Sequence, residues 1–155
     1  LLVTLPISET ECVLGKYLAA LSLIAVALLL TLGYPITLAF LGDLEPGPVL
    51  GGYLGLFMLG AAFTAIGTAA SALTSNQVIA FLTALVLCII PFAMGFFLHQ
   101  VPPALLPVVQ YLSFDYHFNN LARGVLDTRD LVFHASVVAV ALQTAVFALE
   151  HRRLS

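Results

Sequence analysis

The residues able to do chemistry are few and scattered. His99, His117, His134 and His151 are the four histidines, and Cys12 and Cys88 the two cysteines. None falls into an HExxH, CxxC or Cys/His spacing, so neither a metal site nor a disulfide framework is expected. No GxSxG elbow and no GxxxxGK[ST] phosphate loop occurs, so no catalytic set is expected and this chain does not hydrolyse ATP by itself. His134 lies a turn into an apolar run, where snorkelling to the interface is the default. A buried proton relay there would need a second titratable group, and the run offers Ser136, Gln143 and Thr144, which suit hydrogen bonds between helices better. His117 has Asp115 nearby and reads as a satisfied interfacial histidine ahead of a substrate contact. A membrane enzyme, such as an intramembrane hydrolase or lipid-modifying transferase, would have to draw on Ser136, His134, Asp115 and His117.

The elements that hold these residues are set by composition. Of 155 residues, 61% are hydrophobic and 8% charged, against about 25% charged in soluble domains. Too few charges exist to cover a water-facing surface, so lipid must be the solvent for much of the chain. Net charge is −3 with no basic run, which excludes a nucleic-acid footprint. Four apolar runs reach the length of about 20 residues that a bilayer requires: 17–41, 49–73, 78–98 and 131–149, none holding Asp, Glu, Lys or Arg. Gly33 with Pro35, and Pro91, should kink the first and third. Gly42–Pro48 and Thr74–Gln77 read as tight turns between antiparallel neighbours. The stretch 99–130 is too polar to span and too apolar for a plain loop, and reads as one or two short helices at the interface. Tyr17, Tyr34, Tyr53 and Tyr111 are placed to serve at the interfaces in a chain without Trp.

At the N-terminal end, Ser8 followed by Glu11 has the spacing of a capping box. Ile7 and Cys12 stand where a hydrophobic staple forms, and Glu9 and Glu11 suit the helix dipole. Four spans put both ends on one side. Lys16, Arg152 and Arg153 there, against Arg123 and Arg129 opposite, favour cytoplasmic ends under the positive-inside rule. Within the second run, Gly51 and Gly55 form a GxxxG pair, continued by Gly60, Thr64 and Thr68 with Ala61, Ala65 and Ala69 alongside. Such residues let backbones approach closely, either within the chain or at a subunit or pore-lining face.

Four strings in order carry a resemblance. They are Thr4–Ser8 followed by Val13–Ala19; Gly51–Gly55; Ser71–Val78; and His117-Phe118 with Ala122–Val125 ahead of Asp127 and Asp130. Together they resemble the permeases of ABC-2 type transporters, nearest to the gliding-motility and multicopper-type permeases. The chain departs from that pattern at Ser75, where a basic residue is common, and at Glu9 and Thr10, where aromatic or basic residues are common. The resemblance implies an all-α integral membrane bundle and one transmembrane domain over 1–155. That domain would be helices three to six of a six-helix permease, the N-terminal part being absent. It further implies an amphipathic N-terminal helix that docks on a separate ABC ATPase subunit, with Ser8, Glu9, Glu11, Lys16, Asn76 and Gln77 at the contact. Between the last two spans it implies an extracellular re-entrant element that includes His117, Phe118, Arg123, Gly124 and Asp127. No cofactor would bind this chain, ATP being held by the partner. A second permease copy or a related chain would complete the path across a bacterial or archaeal plasma membrane.

Overall fold

In the computed structural model, residues 8–154 are described, and among them there is helix and no strand. The helices run α1 Glu9–Thr31, α2 Gly33–Leu41, α3 Pro46–Leu73, α4 Gln77–Ala93 with a 3-10 extension Met94–Gln100, α5 Leu106–Leu112, α6 Phe114–Ala122 and α7 Thr128–Leu154. Four helical stretches are long and apolar enough to cross a membrane: Glu9–Leu41, Pro46–Leu73, Gln77–Gln100 and Thr128–Arg152.

Local chemistry sets the boundaries. Ser8 and Glu11 form the reciprocal capping box: Ser8 Oγ accepts from Glu11 N at 3.3 Å, and Ser8 N donates to Glu11 Oε2 at 2.9 Å. The proposed staple partner Ile7 lies outside the described residues. From Glu9 the helix continues without interruption into the first span, so no separate amphipathic helix exists among the described residues. That span breaks at Leu32, where α2 restarts beside Gly33 and Pro35. The first turn is shorter than the sequence suggests, because α3 already begins at Pro46. Proline at the first helical position lacks only an N–H that would be orphaned anyway, and its φ is already helical. Asn76 caps α4 by accepting from Val78 N (2.9 Å) and Ile79 N (3.4 Å). Beyond Pro91 the third span tightens into the 3-10 extension. The interfacial stretch resolves into two short helices, α5 and α6, and its last residues belong to α7.

Helix α3 is the centre of the bundle, packing most extensively on α7 and also on α1, α4 and α6. Its buried positions are Gly51, Gly55, Ala62, Ala65, Thr68, Ala69, Ala70 and Ala72. Of the line Gly60–Thr64–Thr68, Thr68 is itself buried on this stripe, and Gly60 and Thr64 are half-buried at its edge. Gly60 faces Ile24 of α1, and the Thr64 and Thr68 hydroxyls bond to carbonyls of their own helix. Near one end, Val13 and Tyr17 of α1 pack with Ala65, Ala69 and Ala72 of α3 and with Ala141 and Ala145 of α7. Tyr17 is thus a core residue (6% exposed), whereas Tyr34 and Tyr111 are exposed as interfacial tyrosines should be. Tyr53 hydroxyl meets Thr31 Oγ1 at 3.0 Å. Helix α4 buries no residue at all.

At the other end α6 lies against the start of α3. A Cβ on Gly51 would collide with the carbonyl oxygen of Leu121. Gly124, at φ +80°, turns the chain away from α6 in a conformation that residues with a Cβ rarely adopt, and a Cβ there would sit 2.9 Å from the Gly47 carbonyl carbon. Replacing Gly51 by Ala should therefore lower stability by about 2–3 kcal/mol. Gly67→Ala, where nothing lies within 4 Å of the added carbon, should stay within about 0.5 kcal/mol of the parent. Reversible unfolding in mixed micelles measures both.

Candidate functional site

Two polar constellations stand out, one at each end of the bundle. The first joins α6 to the head of α7. Ser113 caps α6 by accepting from Tyr116 N at 3.2 Å, which sets His117 one turn in, facing α7. Asp127 accepts from Arg129 N at 2.9 Å and so caps α7. This starts the helix early enough to carry Asp130 inward.

His117 Nδ1 meets Asp130 Oδ1 at 2.5 Å, and both side chains are buried. His117 Nε2 donates to the Tyr111 carbonyl oxygen at 2.9 Å. Asn120 Nδ2 reaches Asp130 Oδ1 at 3.5 Å, the outer limit of a hydrogen bond. One turn along α7, His134 Nδ1 donates to the Asp130 carbonyl oxygen at 2.8 Å. Asp130 Oδ2 and His134 Nε2 are buried without a hydrogen-bond partner. Aromatic rings close the site: Phe133 stacks on the His117 ring at 4.1 Å and 19°, Phe114 meets Phe133 edge to face at 5.2 Å, and Phe63 of α3 backs Phe114 at 5.3 Å.

These positions correct three readings of the sequence. His134 is 1% exposed and does not snorkel. The helix geometry that places it over α6 points it into the bundle, where a backbone carbonyl and aromatic faces receive it. His117 pairs with Asp130 rather than Asp115. Two residues apart on a helix, Asp115 and His117 face different ways, and the Asp115 carboxylate packs against Gly95 of the 3-10 extension. Ser136 and Thr144, expected to hydrogen-bond between helices, instead donate to carbonyls of their own helix, Phe133 O at 2.7 Å and Val140 O at 2.8 Å.

The charge-free window places the start of the last span after Asp130, so composition gives it no place inside the bundle. The available signal was the Asp130/His134 spacing of four on one helix face, with His117 as the third member. Of the other residues in this stretch, Phe118 lies against Gly55, Gly124 forms the turn, and Arg123 is exposed at the end of α6. No group of three metal-ligating side chains occurs among the described residues.

The second constellation lies at the opposite end. Lys16 Nζ donates to Ser71 Oγ at 3.0 Å, tying α1 to the last turns of α3. Ser8, Glu9 and Glu11 form the start of α1, and Asn76 caps α4 across the turn that follows α3. An apolar groove of about 370 Å³ separates α1 from α7 at this end, with Val13, Leu14, Val146 and Phe147 on its walls and Thr10 and Glu150 at its rim.

No family model, curated protein or solved structure matches this chain. What it does must be argued from its own geometry.

Truncating either partner of the His117–Asp130 pair leaves the other polar group buried and unmatched. His117→Phe and Asp130→Leu should each cost about 3–5 kcal/mol. The double variant should cost at least about 1 kcal/mol less than their sum, because no orphaned charge remains. A double-mutant cycle by unfolding in micelles reads this coupling.

Proposed function

We propose that the chain is a membrane-spanning permease subunit of an ATP-driven transporter of the ABC-2 type. It would work with a separate ATPase subunit and with a second copy or a related permease chain. The membrane would be a bacterial or archaeal plasma membrane, with both ends of the described bundle at the cytoplasmic face. The observation that carries this reading is the polarity of the bundle. One end gathers a capped, acidic helix start, a Lys16–Ser71 link and the Asn76-capped turn. The other gathers two short helices that do not span, folded against α3 and α7. The described residues of the four strings that resemble the permease family fall on these same two ends and on α3.

In this reading the acidic end receives the ATPase. Ser8, Glu9 and Glu11 present the docking surface, with Asn76 and Gln77 on the same side. Lys16 passes a displacement of α1 directly to α3 through its bond to Ser71. Since α3 contacts α1, α4, α6 and α7, movement of one end tilts the bundle as a unit. The apolar, unburied flanks of α1, α2 and α4 suit contact with lipid, with further helices and with the second permease chain.

A membrane-enzyme reading draws support from the buried His117–Asp130–His134 cluster. Ser136 and Asp115 are turned elsewhere, and aromatic rings cover the imidazoles.

The test is a crosslink. With the exposed native Cys12 replaced by Ser, cysteine at position 9 or 11 should crosslink to a co-expressed ATPase subunit, with a yield that changes when ATP is bound. An intact complex that gives no product from either position refutes the docking assignment.

A further inference from the structure

We infer that the groove between α3, α4 and α7 seats one acyl chain of a membrane lipid, drawn from the leaflet on the side of the α3–α4 turn. This goes beyond the transport reading and does not depend on it.

The groove follows from how α3 is shared. Both α4 and α7 pack on α3, while α4 makes little contact with α7. Between them α3 presents Ala69 and Ala70, and α7 presents Ala141, all three buried. Their methyl groups make a low floor. Longer side chains stand at the edges: Leu73 of α3, Leu87 of α4 and Val140 of α7, each at least 50% exposed. The result is a trough of about 360 Å³ that opens sideways from the bundle.

The chemistry of the lining selects hydrocarbon. Ser136 and Thr144 bring the only hydroxyls to it, and both donate to carbonyls of their own helix. Every other lining residue is aliphatic. A water held inside a protein makes about three hydrogen bonds, and this surface offers too few polar groups for that. Left empty, the lining would forfeit the dispersion contacts of one whole side. An apolar cavity of about 150 Å³ takes up benzene. A trough more than twice as large, drawn out along the helices, accommodates a linear chain.

Depth and width select a lipid tail. All the lining residues belong to stretches able to span the membrane. The rise from Leu73, the last residue of α3, to Ile66, or from Thr144 to Ser136 on α7, is about 10–12 Å. That lies within the roughly 15 Å of hydrocarbon in one leaflet. The groove therefore starts where α3 ends and stops short of the midplane, as does a chain hanging from a headgroup level with the α3–α4 turn. Spread over that length, the volume leaves a trough roughly 5–6 Å wide. An extended chain, with carbon contacts at about 4 Å, fits along it. A helix of a second copy, about 10–12 Å across with its side chains, could insert only single side chains. No charged group lines the groove, so it reads the chain and not the headgroup.

The test uses the full chain reconstituted in phosphatidylcholine bilayers with a trace of phosphatidylcholine bearing a diazirine midway along one acyl chain. After photolysis, adducts are mapped by mass spectrometry. Labelling on 66–73 and 136–144 should exceed that at Val86 and Ile89, on the open face of α4, by at least about threefold. The same chain on phosphatidylglycerol should give the same pattern. Ser136→Leu combined with Thr144→Leu, at exposed positions bonded only within their own helix, should bring groove labelling down to the Val86 level. Equal labelling over all apolar faces, enrichment with one headgroup alone, or enrichment that survives the double variant overturns the inference. So does a high yield of disulfide-linked dimer through Val140→Cys, with Cys12 and Cys88 replaced by Ser, since a second copy would then fill the groove. Should the double variant fail to fold, the wild-type distribution of adducts still decides.

Discussion

Close backbone approach to α3 is the constraint on which the rest of the structure depends. Between helices in hydrocarbon no hydrophobic effect drives association, and packing has to be won by contact distance. Glycine and alanine at 51, 55, 62, 65, 69 and 72 supply that distance. They let the α6 backbone lie against Gly51, Phe118 against Gly55, and α7 run alongside the alanines. A larger residue at Gly51 or Gly55 would push away α6, and one among the alanines would press on α1 and α7. The polar features at both ends depend on it, since Lys16 reaches Ser71 and His117 reaches Asp130 only if α1, α6 and α7 all lie close to α3.

What could be read from the sequence was what neighbouring residues decide. The capping box of Ser8 and Glu11, the Asn76 turn and the break near Gly33 and Pro35 each depend on side chains within a few positions of one another. The four spans were legible for the same reason, as hydropathy is a property of a window. What escaped depends on three dimensions. His134 was assigned to the interface because a lone histidine near a helix end normally snorkels. In the fold it is held by α6, fifteen or so residues upstream in the chain, whose position no local pattern reports. Asp130 stands outside the charge-free window, and a window of composition does not reveal that its carboxylate is paired with His117 inside the bundle. The small-residue face is legible from its spacing of four, since Gly51 and Gly55, Ala65 and Ala69, and Thr68 are all buried, whereas the neighbour that each position meets depends on the fold.

The bundle separates two kinds of polar contact. At the α1 end the groups are largely exposed, and each bond is individually weak. At the α6 end they are buried under Phe133, Phe114 and Phe63, and each group matters because water cannot replace a missing partner. The first arrangement suits a surface that receives a partner. The second suits a joint that holds α6 against the head of α7.

Helix α4 has a consequence for how the chain is made. It is the most apolar of the four spans and buries nothing against its neighbours, whereas α3 is the least apolar and buries the largest share of itself. A segment leaving the translocon partitions on its own hydrophobicity. α4 can therefore settle in the lipid as soon as it is synthesised, while α3, rich in glycine and alanine, gains its firmest hold once α7 has emerged. Assembly of the described bundle would thus wait for α7, with the centre being secured after the periphery.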